Sequence, residues 1–152
     1  MKKLLVAVLA LMMLTACSGG NSGNSDVVKI GLNFELTGEV ARYGNSEADA
    51  VELAIKHANE NGGVLGKEIK AIKLDNQSDQ AEAVSVQTKL ATVEQVTGIV
   101  GPATSGLTAA VYPVANEYGV VSISASATAD GITQDENGDV FEYAFRTCFL
   151  DS

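Results

Sequence analysis

The 152-residue sequence predicts an α/β fold, a Rossmann-like parallel sheet with helices on both faces. Short apolar runs typical of strands alternate with segments in which apolar residues recur at helical spacing. The composition, 46% apolar and 19% charged, is typical of one globular domain. Strands and helices that alternate in this way form right-handed crossovers, and the strands then pair in parallel.

The first half of the folded part contains two strand–helix units. The run 28–34 predicts a strand, and the run 68–75 predicts the next one. Between them, apolar residues at i, i+3, i+4 and i+7 predict a helix that ends at Asn61-Gly62-Gly63. Asp79 and Glu82 have the spacing of a capping box and predict a second helix, to about residue 94. The expected buried stripes are Val51, Ala54, Ile55 and Ala58 in the first helix, and Ala83, Val86, Leu90 and Val93 in the second.

The second half predicts three more strands, over 97–100, 120–123 and 141–147. After the first of these, an apolar stripe predicts a helix that ends at Gly119 and that Pro113 should kink. The stripe consists of Leu107, Ala110, Val111, Val114, Ala115 and Tyr118. A polar turn over 135–139 precedes the last strand.

The N-terminus indicates export. Lys2 and Lys3 precede an apolar run over 4–14, which is too short to span a bilayer and predicts a signal peptide over 1–16. Leu14-Thr15-Ala16-Cys17 resembles the lipobox of bacterial lipoproteins, which implies that Cys17 is lipidated. The alternative is an ordinary secretory signal with an incidental cysteine. The Gly/Ser/Asn-rich segment that follows predicts a flexible tether over 17–26, and the folded lobe then covers 27–152.

Several classes of function are disfavoured. A net charge of −9 disfavours a nucleic-acid partner, and two cysteines with one histidine leave little for a metal or redox centre. No glycine-rich cofactor fingerprint follows the first strand, and Ser105 lacks the glycines of a hydrolase elbow. The single histidine, His57, is expected to be a solvated helix residue. A calcium loop that began at Asp135 would need glycine at its sixth position and glutamate at its twelfth, where this sequence has Val140 and Arg146. We therefore expect no catalytic residue, metal or cofactor.

Two hydroxyl-rich loops follow neighbouring strands, at 101–106 and 122–129. Hydroxyls beside the free N–H groups of a helix start favour an anion such as a carboxylate, although a simple N-cap by Thr104 or Ser105 is an equal alternative. A carboxylate can take donors from Ser105 and the Thr128 amide, and an ammonium can use the Ser126 carbonyl and the Thr128 hydroxyl. The two loops together predict recognition of an amino-acid backbone.

The same residues resemble the branched-chain amino-acid-binding family, the substrate-binding proteins of ATP-driven importers with the type I periplasmic-binding-protein fold. The resemblance extends from about Val28 to Ser152 and rests on the order of its motifs. These are Leu36-Thr37-Gly38 to Tyr43-Gly44, Asn61 to Lys67, Asp75-Asn76, Gly101 to Gly106, Ser124 to Thr128, and Phe145-Arg146-Thr147. The resemblance implies the first lobe of that fold, with the roles given above for Ser105, Ser126 and Thr128 and with an aromatic at Tyr43 bordering the pocket. The ligand-binding residues expected in this way are Tyr43, Thr104, Ser105, Ser126, Ala127 and Thr128.

The sequence departs from the family in two ways. Some relatives carry a disulfide between the positions of Ser78 and Thr104. Neither residue is a cysteine in this sequence, so the loop that contains Thr104 is expected to be held by packing instead. The chain is also expected to stop before the second lobe, which by resemblance supplies an acidic partner for the ammonium. We therefore expect weak or undetectable amino-acid binding by this lobe alone.

The resemblance implies an extracytoplasmic, lipid-anchored receptor that binds a free amino acid and delivers it to an ABC permease. Leucine, isoleucine and valine are favoured, and amides or aromatic acids remain open. A ligand-sensing module of a signalling receptor is the alternative of another class. An enzyme is the least favoured class.

Overall fold

The computed structural model describes residues 27–152, so the predicted signal peptide (1–16) and the predicted tether with its lipidated cysteine (17–26, Cys17 included) lie outside the described residues. Within 27–152 no helix combines the length and apolar character needed to cross a bilayer. The elements in chain order are β1 (Val27–Phe34), α1 (Ala41–Glu60), β2 (Glu68–Asp75), α2 (Gln80–Thr92), β3 (Gly98–Val100), α3 (Ser105–Tyr118), β4 (Val121–Ser124) and β5 (Ala144–Arg146).

The strands form one parallel sheet in the order β2-β1-β3-β4-β5. Its strand order reverses between β1 and β3, because the chain adds β2 on one side of β1 and all later strands on the other. Ligands of such sheets bind at the carboxyl ends of the strands beside this switch point. The predicted fold class is confirmed. A ligand site is therefore expected in the loops after β1, β3 and β4.

Alternate residues of β1 face different helices. Leu32 and Phe34 pack with Ala48 of α1 on one face of the sheet. On the other face, the Asn33 amide group donates to the Ala83 carbonyl and the Gln87 side chain of α2. Leu90 of α2 packs with β3 on this second face, and α3 lies beside α2. The sheet is thus covered by α1 on one face and by α2 and α3 on the other.

The face that carries α1 is only partly covered. The predicted stripe of α1 lies on this side, but Ala54 is exposed and Val51, Ile55 and Ala58 are half-buried. Together with Ile30, Ile69, Val100 and Ala125, this stripe borders an open apolar groove. The residues of α1 that become fully buried are Gly44 and Ala48, near its N-terminal end.

Two other expected core positions are wrong. Val93 lies just beyond the last residue of α2 and is 69% exposed, and Tyr118 in the last turn of α3 is 43% exposed. The buried face of α3 is rotated toward Thr108 and Tyr112. The Tyr112 hydroxyl accepts from the Ser124 backbone N–H and donates to the Phe145 carbonyl, which ties α3 to β4 and β5. Tertiary hydrogen bonds therefore decide which side of α3 is buried.

Candidate functional site

A cavity of about 250 Å³ lies at the carboxyl ends of β3 and β4. It is lined by Tyr43, Ala103, Thr104, Ser105, Ser126 and Thr128. Five of the six residues expected to bind ligand are thus brought together. The sixth, Ala127, is fully buried, and its backbone N–H donates to the Ser124 hydroxyl.

The loop between β3 and α3 is held by a buried carboxylate. Glu35, which follows β1, accepts from the Ala103 N–H at 3.1 Å, the Thr104 N–H at 3.0 Å and the Thr104 hydroxyl at 2.8 Å. Glu35 has no exposed surface, and such charge-assisted hydrogen bonds are among the strongest in proteins. The expectation that packing alone holds this loop is therefore wrong.

The same loop requires glycine at its start. Gly101 has a φ of +99°, and a Cβ at this position would lie 2.3 Å from the Asn33 carbonyl oxygen. Only glycine adopts this conformation without a clash. This close approach brings the 101–106 segment directly beside the end of β1.

The N-terminus of α3 is not capped by a side chain. Thr104 occupies the N-cap position, but it makes no capping hydrogen bond because its hydroxyl donates to Glu35. A simple N-cap by Thr104 is thus excluded. The Ser105 hydroxyl accepts from the Ala129 N–H at 3.1 Å, which leaves its own proton free to donate. The helix start therefore offers free N–H groups and one hydroxyl donor to an anion.

The loop after β4 is fixed by Arg146 and Asp151. The Arg146 guanidinium donates to the carbonyls of Ala127, Thr128 and Ala129, at 3.4, 3.3 and 2.7 Å. The Thr128 hydroxyl donates to the Asp151 carboxylate at 2.9 Å, and the Asp151 N–H donates to the Thr128 carbonyl at 3.1 Å. The side chain and the backbone carbonyl of Thr128 are therefore both fixed by hydrogen bonds.

Glu47 of α1 borders the apolar groove and contacts Ser126 of the cavity. Its carboxyl group is hydrogen-bonded to the Ser126 hydroxyl, whose oxygen also lies 2.8 Å from the Ala103 carbonyl oxygen. The second carboxyl oxygen of Glu47 is buried and has no hydrogen-bond partner among the described residues. Burial raises the pKa of Glu47; the Ser126 hydrogen bond lowers it, and the nearby Glu35 carboxylate raises it further.

This environment predicts a pH-dependent contribution to stability. Because the pKa of Glu47 is raised in the folded state, its contribution is fully present below the pKa of the unfolded chain and is lost as the pH rises through the folded pKa. We expect Glu47→Gln, which cannot ionise, to stabilise the protein at pH 7 relative to the wild type and to lose that advantage near pH 4. Urea unfolding at the two pH values measures this. The same difference at both pH values would contradict the prediction.

Four residues that shape the site were not among the ligand-binding residues predicted from the sequence, namely Glu35, Glu47, Arg146 and Asp151. Phe145-Arg146-Thr147 contributes to the family resemblance, but no role followed from it. The sequence feature that could have pointed to Glu35 is its position directly after the buried end of β1. Cys148 is half-buried, and its thiol lies 3.3 Å from the Ala127 carbonyl oxygen.

His57 and the 135–139 segment, for which the sequence predicts no catalytic or metal-binding role, lie away from this cavity. His57 is exposed in the last turn of α1, as expected. The 135–139 segment is a turn in which the Asp135 carboxylate accepts from the N–H groups of Asn137 and Asp139. These backbone hydrogen bonds lower the pKa of Asp135, and the bond from the Asp139 N–H has the largest effect. Within residues 27–152 no group of three metal-ligating side chains comes together.

Comparison with known proteins supports the type I fold. The model of the periplasmic binding protein family matches residues 27–151. The Leu/Ile/Val-binding protein BraC3 of Rhizobium johnstonii is 32% identical over 124 residues, covering 82% of this chain and 32% of that protein. The chain thus spans about a third of the length of curated relatives such as this one.

Many solved structures share the fold, and the following are two of them. The branched-chain amino acid transporter substrate binding protein of Streptococcus pneumoniae, in complex with isoleucine, is 46% identical with a TM-score of 0.77, covering 82% of this chain and 34% of that one. An ABC transporter solute binding protein of R. palustris, in complex with benzoate, is 29% identical with a TM-score of 0.69, covering 82% and 33%. The expected fold is confirmed in sequence and in structure, and the chain belongs to the periplasmic binding protein family.

Proposed function

We propose that residues 27–152 form the ligand-binding lobe of an extracytoplasmic substrate-binding component of an ABC importer. Within the whole protein this lobe contributes to the site for a free amino acid, of which leucine, isoleucine and valine are favoured, and the whole protein delivers it to the permease. Its role is binding and delivery without catalysis. The similarity to the isoleucine-binding structure from S. pneumoniae supports the ligand class.

The observation that carries this proposal is the complementary polarity of the cavity. On one side, the uncapped start of α3 and the free proton of the Ser105 hydroxyl are donors suited to a carboxylate. On the other side, the Thr128 hydroxyl donates its hydrogen bond to Asp151, so its oxygen lone pairs remain as an acceptor suited to an ammonium. An α-amino acid carries these two groups on one carbon.

A second candidate ligand is an organic acid without an ammonium group. The R. palustris relative that is solved with benzoate supports it, since that ligand has a carboxylate only. Such a ligand would use the donors at the start of α3 and leave the Thr128 acceptor unpaired. An amino acid pairs this acceptor through its ammonium group and is therefore favoured.

Calorimetric titration of the product of the complete reading frame tests the proposal. The ligands are leucine, isoleucine, valine and benzoate, each at the same ionic strength. We expect saturable binding of at least one branched-chain amino acid and much weaker binding of benzoate. Binding of benzoate alone would favour the second candidate, and binding of none of the four would overturn the proposed ligand class.

We also propose that a lipid on Cys17, after removal of residues 1–16, anchors the protein to the membrane through the 17–26 tether. The support is the lipobox-like sequence Leu14-Thr15-Ala16-Cys17 behind a charged start and an apolar run. Diacyl anchoring gives stable membrane attachment without a spanning helix.

Replacing Cys17 tests the anchor. In the native host we expect Cys17→Ala to move the protein from the membrane fraction to the soluble fraction, because the acylated thiol is lost. Cys148→Ala is the matched control, since it removes the second cysteine of the chain and should leave the protein in the membrane fraction. Continued membrane attachment of Cys17→Ala would contradict lipidation at this residue.

A further inference from the structure

The contact between Thr128 and Asp151 joins two parts of the chain that are 23 residues apart. The carboxylate of Asp151 lies 2.9 Å from the Thr128 hydroxyl oxygen, and the two residues are also joined through the Asp151 N–H and the Thr128 carbonyl. Asp151 itself is exposed and does not line the cavity, whereas Thr128 does. Asp151 therefore acts on the cavity through Thr128.

A hydroxyl group has one proton and two lone pairs, and a carboxylate is an acceptor only. The hydrogen bond between them therefore commits the Thr128 proton to Asp151. With the proton placed there, the hydroxyl oxygen has only lone pairs left for the cavity. A donor such as an ammonium can use them, and a second acceptor such as a carboxylate is repelled.

The position of the charge reinforces this orientation. An ammonium nitrogen that donates to the Thr128 oxygen at about 2.9 Å lies no more than about 6 Å from the carboxylate oxygen of Asp151, since the two distances can at most add. A negative charge at that range favours a cation and disfavours an anion. Hydrogen bonding to a charged group also polarises the hydroxyl oxygen.

We propose that Asp151 is a positioning residue that fixes the Thr128 hydroxyl as an acceptor and thereby selects for ligands with an ammonium group. The inference rests on the proposed function and adds to it a residue and a source of specificity. The Arg146 guanidinium also donates to the Thr128 carbonyl, at 3.3 Å, and so helps to hold this residue.

The test is a double-mutant cycle on leucine affinity, using the product of the complete reading frame and the substitutions Asp151→Ala and Thr128→Ala. We expect Asp151→Ala to weaken leucine binding about tenfold, since a charge-assisted hydrogen bond no longer orients the hydroxyl. In the Thr128→Ala background we expect the same substitution to weaken binding less than about twofold. Asp151→Asn, which keeps an acceptor for the hydroxyl proton, should fall between Asp151→Ala and the wild type.

Glu117→Gln is the matched control for the loss of one negative charge, because Glu117 is exposed near the far end of α3. Thermal unfolding of each variant separates a folding defect from a binding defect. An unchanged leucine affinity in Asp151→Ala, or an equal loss in both backgrounds, would overturn the inference. Failure of the wild type to bind leucine would instead overturn the proposed ligand class on which it rests.

Discussion

Ser105→Ala is expected to weaken amino-acid binding about ten- to hundredfold in the product of the complete reading frame, because it removes a hydrogen bond to a carboxylate worth about 1.5–3 kcal/mol. The Ser105 hydroxyl lines the cavity, and its proton is free because the group accepts from the Ala129 N–H. No other hydroxyl at the start of α3 replaces it, since the Thr104 hydroxyl donates to Glu35. Calorimetric titration with leucine measures the effect.

Ser46→Ala is the matched control for Ser105→Ala. Ser46 is exposed on α1, outside the cavity lining, and its hydroxyl donates to the Arg42 carbonyl of the same helix. This control should leave leucine affinity unchanged. If Ser105→Ala bound leucine as tightly as the control, the carboxylate site would be wrongly placed.

Glu35→Gln is expected to destabilise the fold by about 2–4 kcal/mol, although it keeps the size of the side chain. Both carboxylate oxygens of Glu35 accept hydrogen bonds, one from Ala103 and the other from Thr104. An amide can accept at one of these places and presents a second donor at the other, so one buried N–H is left facing another donor. The loop that carries Ser105 should loosen, and ligand affinity should fall with stability.

Urea unfolding measures the effect of Glu35→Gln, with Glu39→Gln as the matched control. Glu39 is exposed and lies four residues further along the same loop. We expect the control to unfold like the wild type. Equal stability of the two variants would show that the three hydrogen bonds to Glu35 do not hold the 101–106 loop.

Much of the fold follows from local pattern. Glu68–Asp75 is both the predicted and the observed second strand, and Asp79 accepts from the Glu82 N–H at the start of α2 as predicted. The errors arise where tertiary contacts decide burial. The stripe of α1 is apolar by spacing but borders an open groove, and Tyr112 is buried because its hydroxyl has partners on β4 and β5.

The site, like the fold, is only partly predictable from the sequence. Ser105, Ser126 and Thr128 were predictable, because hydroxyl-rich loops after neighbouring parallel strands must meet at one edge of the sheet. Glu35 was not predictable, since an acidic residue after an apolar strand is typical of a solvated loop. Its partner Ala103 is 68 residues away, and only the sheet order brings the two together.

The most direct test of the central claim is a crystal structure of the product of the complete reading frame with bound leucine. The deciding quantities are the distances from the ligand carboxylate to the Ser105 hydroxyl oxygen and from its ammonium to the Thr128 hydroxyl oxygen. We expect both to be about 2.7–3.2 Å. Leucine seated elsewhere, for example in the apolar groove beside α1, would contradict the assignment of this cavity as the amino-acid site.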